Sequence, residues 1–353
     1  MPKKPQVISE AEESKGQPAG VAVDDRAHPQ RLLVLADDTA SFFKLQGESE
    51  LIPDTSLPSF RNAKLARFAP QSGEQAAIVD EQGIHIVSMA LGGSLFLDLP
   101  NIDAFKYSPA DNYMVTCEKY NANTPDYQNL SIIDISKGSK VAQFVWRKPA
   151  KEGLRTLMWS PDESICLRMA PPEGPGQPNL VEVYRNNDFS APAHTILARF
   201  PVKGKNKKDP PAFVNGKFDG FALCPLNSAV SPEESPQYLF AWQNAAKMSE
   251  EDTNGTVFVY DLKADSFERS KFMIQCHQGQ EINVKTNCNG YATLIWSQNM
   301  SDTSGKSYYG EHMLQYVQVF GGRDRQHVPV FQNMIQDVEW LATGERFIVI
   351  AGN

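Results

Sequence analysis

Apolar residues along the chain come in short runs of four to seven, each closed by a polar turn. Arg31-Leu-Leu-Val-Leu35, Gln75-Ala-Ala-Ile-Val79, Ile84-His-Ile-Val-Ser88, Leu130-Ser-Ile-Ile-Asp134 and Thr256-Val-Phe-Val-Tyr260 are typical. The runs favour Val, Ile, Leu, Phe and Tyr, which suit a pleated, half-buried surface, and Gly, Pro, Asn, Asp and Ser separate them. Helical periodicity over any length is nearly absent. The pattern predicts an all-β chain.

The pattern also repeats. An aromatic or apolar residue, a small residue and often Pro precede a polar turn and then an apolar strand. The unit occurs at Phe68-Ala-Pro70, Tyr107-Ser-Pro109 and Trp159-Ser-Pro-Asp162. Weaker copies occur at Leu223-Cys-Pro225 and at Trp340, with room for another near Val284 to Ser297. A repeat of roughly 40 to 60 residues built from several short strands is the signature of a β-propeller blade. One blade cannot bury both of its apolar faces, so neighbours must do it for each other. Phe68, Tyr107, Trp159 and Trp340 are expected to be buried as wedges between blades. A pair of β-sandwich domains is the competing architecture, but it has no need of anchors at intervals. About six repeats are present. Residues 1–29 are polar and poor in aromatics and read as a disordered tail, with the propeller occupying 30–353. The inserts at Tyr120–Asn129, Pro171–Pro178, Pro201–Gly216 and Gln243–Asn254 are the long loops on which binding residues are to be sought.

Composition narrows the chemistry. The 353 residues are 41% hydrophobic and 10% aromatic, enough for a substantial core, and the net charge is −8. That charge argues against general DNA binding but leaves room for a local basic patch that touches RNA. No apolar run approaches the length of a membrane helix, and no secretory h-region follows Met1-Pro-Lys-Lys-Pro5, so a reducing, cytoplasmic setting is expected. The five Cys are widely spaced without C-x-x-C, and Cys117 and Cys166 read as small core residues. The N-x-S/T sequons at Asn129, Asn254 and Asn299 read as chance.

No H-E-x-x-H, G-x-S-x-G or G-x-G-x-x-G motif occurs, and the six His are scattered. Ser304-Gly-Lys-Ser307 looks like the end of a phosphate loop, but Met300 stands where that loop needs Gly. A polar hairpin turn between Thr293–Trp296 and Met313–Val319 explains it better. The paired carboxylates, among them Asp37-Asp38 and Asp162-Glu163, read as solvated turns. No catalytic residue, metal ligand or cofactor site is assigned. The basic candidates are Lys203, Lys205, Lys207 and Lys208, four Lys in six residues, and Arg323 and Arg325 beside Gly321-Gly322.

Ser304, Gly305, Ser307, Tyr308, Tyr309, Gly310 and Glu311 stand in the order S-G-x-S-Y-Y-G-E, which resembles a hairpin of the eukaryotic translation initiation factor 2A family. Ile335-Gln-Asp-Val-Glu-Trp340 is similar to that family's I-Y-D-V-x-W, and Trp159-Ser-Pro-Asp-Glu-Ser-Ile-Cys-Leu-Arg168 to its W-S-x-D-E-x-x-C-x-R. The resemblance implies a WD-type propeller of nine blades followed by a helical region. It also implies a non-catalytic, GTP-independent role in bringing initiator methionyl-tRNA to the small ribosomal subunit, with mRNA and other initiation factors as further partners. Against that pattern the chain stops at Gly352-Asn353, within a blade, which reads as a truncated propeller. The alternative function is a WD-type scaffold for protein–protein interaction outside translation.

Overall fold

The computed structural model describes residues 31–46, 50–202, 212–224, 237–245, 254–264, 267, 270–276, 279–288, 290–299, 311–318, 327–331 and 334–352. Six four-stranded antiparallel sheets follow one another along the chain, with two further strand pairs.

The first sheet holds β1 (Arg31–Ala36), β2 (Thr39–Gln46), β3 (Glu50–Pro53) and β4 (Phe60–Arg61), with β3 and β4 sharing one side of β2. The second holds β5 (Leu65–Phe68), β6 (Gln75–Val79), β7 (Ile84–Ser88) and β8 (Ser94–Leu97). The third holds β9 (Ile102–Tyr107), β10 (Tyr113–Glu118), β11 (Leu130–Asp134) and β12 (Ser139–Phe144). After the helix α1 (Ala150–Arg155), the fourth holds β13 (Leu157–Trp159), β14 (Ile165–Ala170), β15 (Leu180–Arg185) and β16 (His194–Leu197). A separate hairpin, β17 (Arg199–Val202) and β18 (Ala212–Asn215), interrupts the series within what reads from sequence as a loop insert. The fifth sheet holds β19 (Gly220–Leu223), β20 (Tyr238–Gln243), β21 (Gly255–Asp261) and β22 (Phe272–Cys276). The sixth holds β23 (Glu281–Thr286), β24 (Ala292–Asn299), β25 (Glu311–Gln318) and β26 (His327–Phe331). The last pair is β27 (Ile335–Trp340) and β28 (Phe347–Ala351).

The second to sixth sheets are meanders in which sequence neighbours pair throughout. Their first strands approach one another from sheet to sheet. Lys106 Nζ on β9 donates to Leu157 O on β13 at 2.6 Å, and Thr286 Oγ1 on β23 donates to Leu223 O on β19 at 3.1 Å. Trp340 Nε1 on β27 donates to Lys285 O on β23 at 2.8 Å.

The buried clusters explain why the sheets need one another. Phe42, Ala76, Ile78 and Val87 join the first and second sheets. Val79, Phe105, Met114 and Ile133 join the second and third. Val115, Ile132, Trp159, Cys166 and Tyr184 join the third and fourth. Leu167, Val183, Leu239 and Phe258 join the fourth and fifth through Phe200 and Phe218. Val257, Ile274, Ile282 and Ile295 join the fifth and sixth, and Leu294, Leu314, Ile335 and Val338 join the sixth to the last pair. Each core is shared by neighbouring sheets, the arrangement of a β-propeller and not of two sandwiches.

The anchors behave as the pattern requires. The residue after each donates its N–H across the first turn of its sheet: Ala69 to Gln75 O, Ser108 to Tyr113 O, Ser160 to Ile165 O, Cys224 to Tyr238 O, Asn287 to Ala292 O and Leu341 to Arg346 O. The missing copy near Val284 is therefore Thr286-Asn287, where a polar residue stands in for the aromatic. Tyr107 and Trp159 are buried, with Trp159 stacked on Tyr113 of the preceding sheet. Phe68 and Trp340 are only half-buried, less than expected. Cys117 and Cys166 are core residues, as their runs imply. Among the described residues, no helix is long and apolar enough to cross a membrane.

Candidate functional site

In each meander the first turn and the third turn share one end, while the second turn and the connector to the next sheet share the other. At the connector end, between the third and fourth sheets, lies a groove of about 740 Å³. Its walls come from the connector Val145–Lys148, from the end of β14 with the turn after it, and from Lys217 on the way into β19.

Two asparagines hold these walls. Asn129 Nδ2 donates to Glu118 O and Trp146 O, both at 2.9 Å, while Trp146 N donates to Asn129 Oδ1 at 2.7 Å. Asn179 repeats the device one sheet later: its Nδ2 donates to Phe218 O at 2.8 Å and its Oδ1 accepts from Phe218 N at 2.7 Å. Both begin an outgoing strand as Asn-Leu, and both are buried. Each thereby pairs backbone groups that would otherwise be buried without partners. The sequon at Asn129 is thus part of the structural framework.

Trp146 is fixed further by its Nε1 donating to Pro149 O at 3.1 Å and by Gly153 of α1. A Cβ at position 153 would lie 2.9 Å from the Trp146 ring, so the helix packs this close only with glycine there. Glu152 in the first turn and Arg155 in the last are placed favourably for the helix dipole.

Arg168, on β14, forms the groove's inner wall. Its guanidinium carbon sits 3.9 Å from the Phe144 ring centroid, and its Nη1 donates to Glu182 Oε2 at 2.6 Å. Tyr184 Oη donates to the same oxygen at 2.8 Å. Burial and that bond push the Tyr184 phenol up. The stacking on Phe144 and the bond to Glu182 hold the guanidinium plane. Arg168 Nε nevertheless has no hydrogen-bond partner among the described residues, although the residue is only 8% exposed.

The rim is basic. Arg147, Lys148 and Lys217 are exposed; Arg147 has a distant ion pair with Asp126 at 3.9 Å, and Lys148 Nζ lies 6.0 Å from the Trp146 ring centroid. With Arg168 these make four cations against two carboxylates, Glu173 and Glu182, on a chain of net charge −8. The groove offers charge and oriented N–H donors. Among its described lining residues no paired nucleophile and base occurs.

Lys203, Lys205, Lys207, Lys208, Arg323 and Arg325 lie outside the described residues, as do Ser304, Gly305, Ser307, Tyr308, Tyr309 and Gly310. The strands around them are described. Val202 and Ala212 are paired across the β17–β18 hairpin, so the four-Lys segment joins strands whose base leads to Lys217. Asn299 pairs with Glu311 and Trp296 with Leu314, so the strands expected around the Ser304 turn are partners. Reading every acidic pair as a solvated turn fails at Glu163, which is 2% exposed and accepts from Ala110 N at 2.8 Å and Asn112 Nδ2 at 2.9 Å. The groove itself escapes sequence reading because its cations are scattered from 147 to 217. The paired Asn-Leu strand starts were its one visible sign.

Residues 275–353 match the family model described as eukaryotic translation initiation factor eIF2A. A curated relative, eukaryotic translation initiation factor 2A of Dictyostelium discoideum, is 21% identical over 301 residues, which cover 84% of this chain and 43% of the relative. The chain therefore spans less than half of that relative's length. A solved structure described as a crystal structure of the eukaryotic initiation factor has a TM-score of 0.67 at 18% identity, over 92% of this chain and 69% of that one. That likeness is one of fold and supports a propeller. Together, the family match over residues 275–353 and the curated relative along most of the chain bear out the resemblance to eukaryotic translation initiation factor 2A drawn from residues 304–311.

Proposed function

We propose that this chain is the propeller part of a translation initiation factor. It acts in the cytoplasm without catalysis, binds the small ribosomal subunit and promotes delivery of initiator methionyl-tRNA without GTP. The observation that carries this reading is the match of residues 275–353 to the initiation factor family model. WD-type blades would serve as a rigid platform, and the contacts would come from loops and connectors. Lys203, Lys205, Lys207 and Lys208, with Arg323 and Arg325, are the proposed RNA contacts beyond the groove. The test is sedimentation of the 353-residue chain with purified small subunits, with and without initiator methionyl-tRNA and with no nucleotide added. Co-sedimentation that strengthens with the tRNA is the expected result. Changing all four Lys to Ala should flatten the salt dependence by roughly two to three log–log units, if most of them touch phosphate. A chain that stays at the top of the gradient at low salt, or that binds only non-ribosomal proteins, overturns the proposal.

A further inference from the structure

We infer that the groove between the third and fourth sheets is a binding site for the phosphate backbone of RNA, with Arg147, Lys148 and Lys217 as its contacts and Arg168 Nε as a buried donor at its base.

Three observations lead there. The first is charge: on an acidic chain, the lining of one cavity carries four cations against two carboxylates, with Asp126 a third carboxylate 3.9 Å from Arg147. Against long-range repulsion from the rest of the molecule, such a local reversal is a part of the surface that attracts a polyanion. The second is the donor at the base. Arg168 is held by Phe144 and Glu182, yet its Nε carries a buried N–H without a partner among the described residues. A buried donor left unpaired is destabilising, and an anionic oxygen that reached it would relieve that cost.

The third observation separates RNA from an acidic peptide. An extended peptide is captured by pairing with free backbone groups along an edge. Along the groove's inner walls such groups are occupied. The N–H and C=O of Trp146 are bonded to Asn129, those of Phe218 to Asn179, and Met169 N donates to Thr156 O. Side-chain charge is what the groove still has to offer. That suffices for phosphate contacts, which position a nucleic acid without reading its bases. The identification of the polyanion as RNA rests on the proposed role in translation.

The test compares the 353-residue chain with its Arg147→Ala/Lys148→Ala/Lys217→Ala variant. Binding of initiator tRNA and of a 20-nucleotide oligouridine is followed by fluorescence anisotropy between about 50 and 200 mM KCl. Three single-strand contacts correspond to a log–log slope of about −2, so the unmodified chain should lose roughly twentyfold more affinity over that range than the variant. The charge-keeping variant Arg147→Lys/Lys148→Arg/Lys217→Arg should bind like the unmodified chain. The substituted side chains are exposed, so the variants' unfolding transitions should match the parent's. If the parent binds RNA and the Ala variant keeps both affinity and slope, the groove inference falls while the proposed function stands. If polyglutamate of equal charge displaces the RNA equally well, the site is one for acidic protein and the inference falls. If the parent binds neither RNA nor subunits, both readings fall.

Discussion

Trp159 shows how one side chain couples two sheets. It ends β13 of the fourth sheet, and its ring is stacked on Tyr113 of the third at 6.3 Å and 9°. Replacing it with Ala opens a cavity at the seam, and Trp159→Ala should cost about 3–5 kcal/mol in denaturant unfolding. Lys106 works the other way. It lies on the first strand of the third sheet and donates from its ammonium to Leu157 O. Burial pushes that ammonium down to about 8 from 10.5. The folded state then releases its proton at lower pH than the unfolded chain does. Between those two values the unfolded state binds more protons, so stability from this group rises with pH across that window. Lys106→Met removes the effect. The unmodified chain should gain about 2 kcal/mol relative to Lys106→Met between pH 8 and pH 10.5, measured by denaturant titration. A gap that stays constant over that window would mean Lys106 is solvated.

Turns carry the joints between neighbouring sheets. Asp111 takes Gln71 N and Ser72 N from the second sheet's first turn, and Glu163 takes Ala110 N and Asn112 Nδ2 from the third's. Both clasping residues sit at positive φ, 61° and 56°, which aims the carboxylate back at the previous turn. Glu163 is buried and Asp111 is half-buried. Glu163→Ala should therefore cost about 2–3 kcal/mol and speed amide exchange at Ala110, whereas Asp111→Ala should cost under about 1 kcal/mol. Equal effects from the two would show that burial does not set the strength of the joint. These joints were half legible. Ser-Pro before an acidic residue announced a turn, and the hydrophobic residue before it announced a strand end, because both follow from local propensity and period. The partner of the carboxylate is a backbone amide some 40 to 50 residues away, and no local pattern encodes it. Thr286 escaped for a related reason: its place in the repeat is marked by a backbone hydrogen bond and not by an aromatic ring.

For the whole molecule, the series of sheets was legible because each apolar run fills one strand, and the recurrence of strands is written in the turns. The groove was not, since it exists only where three connections meet. The outermost sheets have a further property. Leu32 and Leu35 on β1 are 45% and 42% exposed, and Ile348 and Ile350 on β28 are 52% and 53% exposed. Alternation places Phe347 and Val349 against the sixth sheet and leaves the opposite face of β28 in water. Apolar strands of this kind pair with other chains. We expect the 353-residue chain to self-associate in a concentration-dependent manner in sedimentation velocity, and Ile348→Lys/Ile350→Lys to reduce that association. A monomer at all concentrations would contradict this expectation.

Because every buried cluster among the described residues is shared only between neighbours in the series, the fold resembles a row of leaves glued pairwise more than a ball with one centre. Pulled by its two ends, such a chain should not give way at once. Each rupture should free one leaf and leave the next still bonded along its other face. The third sheet, from Ile102 to Phe144, would contribute a length increment of about 150 Å at roughly 3.5 Å per residue. A force trace with several steps of this order is the mechanical form of neighbour-only packing, and a platform with that property would tolerate the loss of one leaf without losing its neighbours' shape.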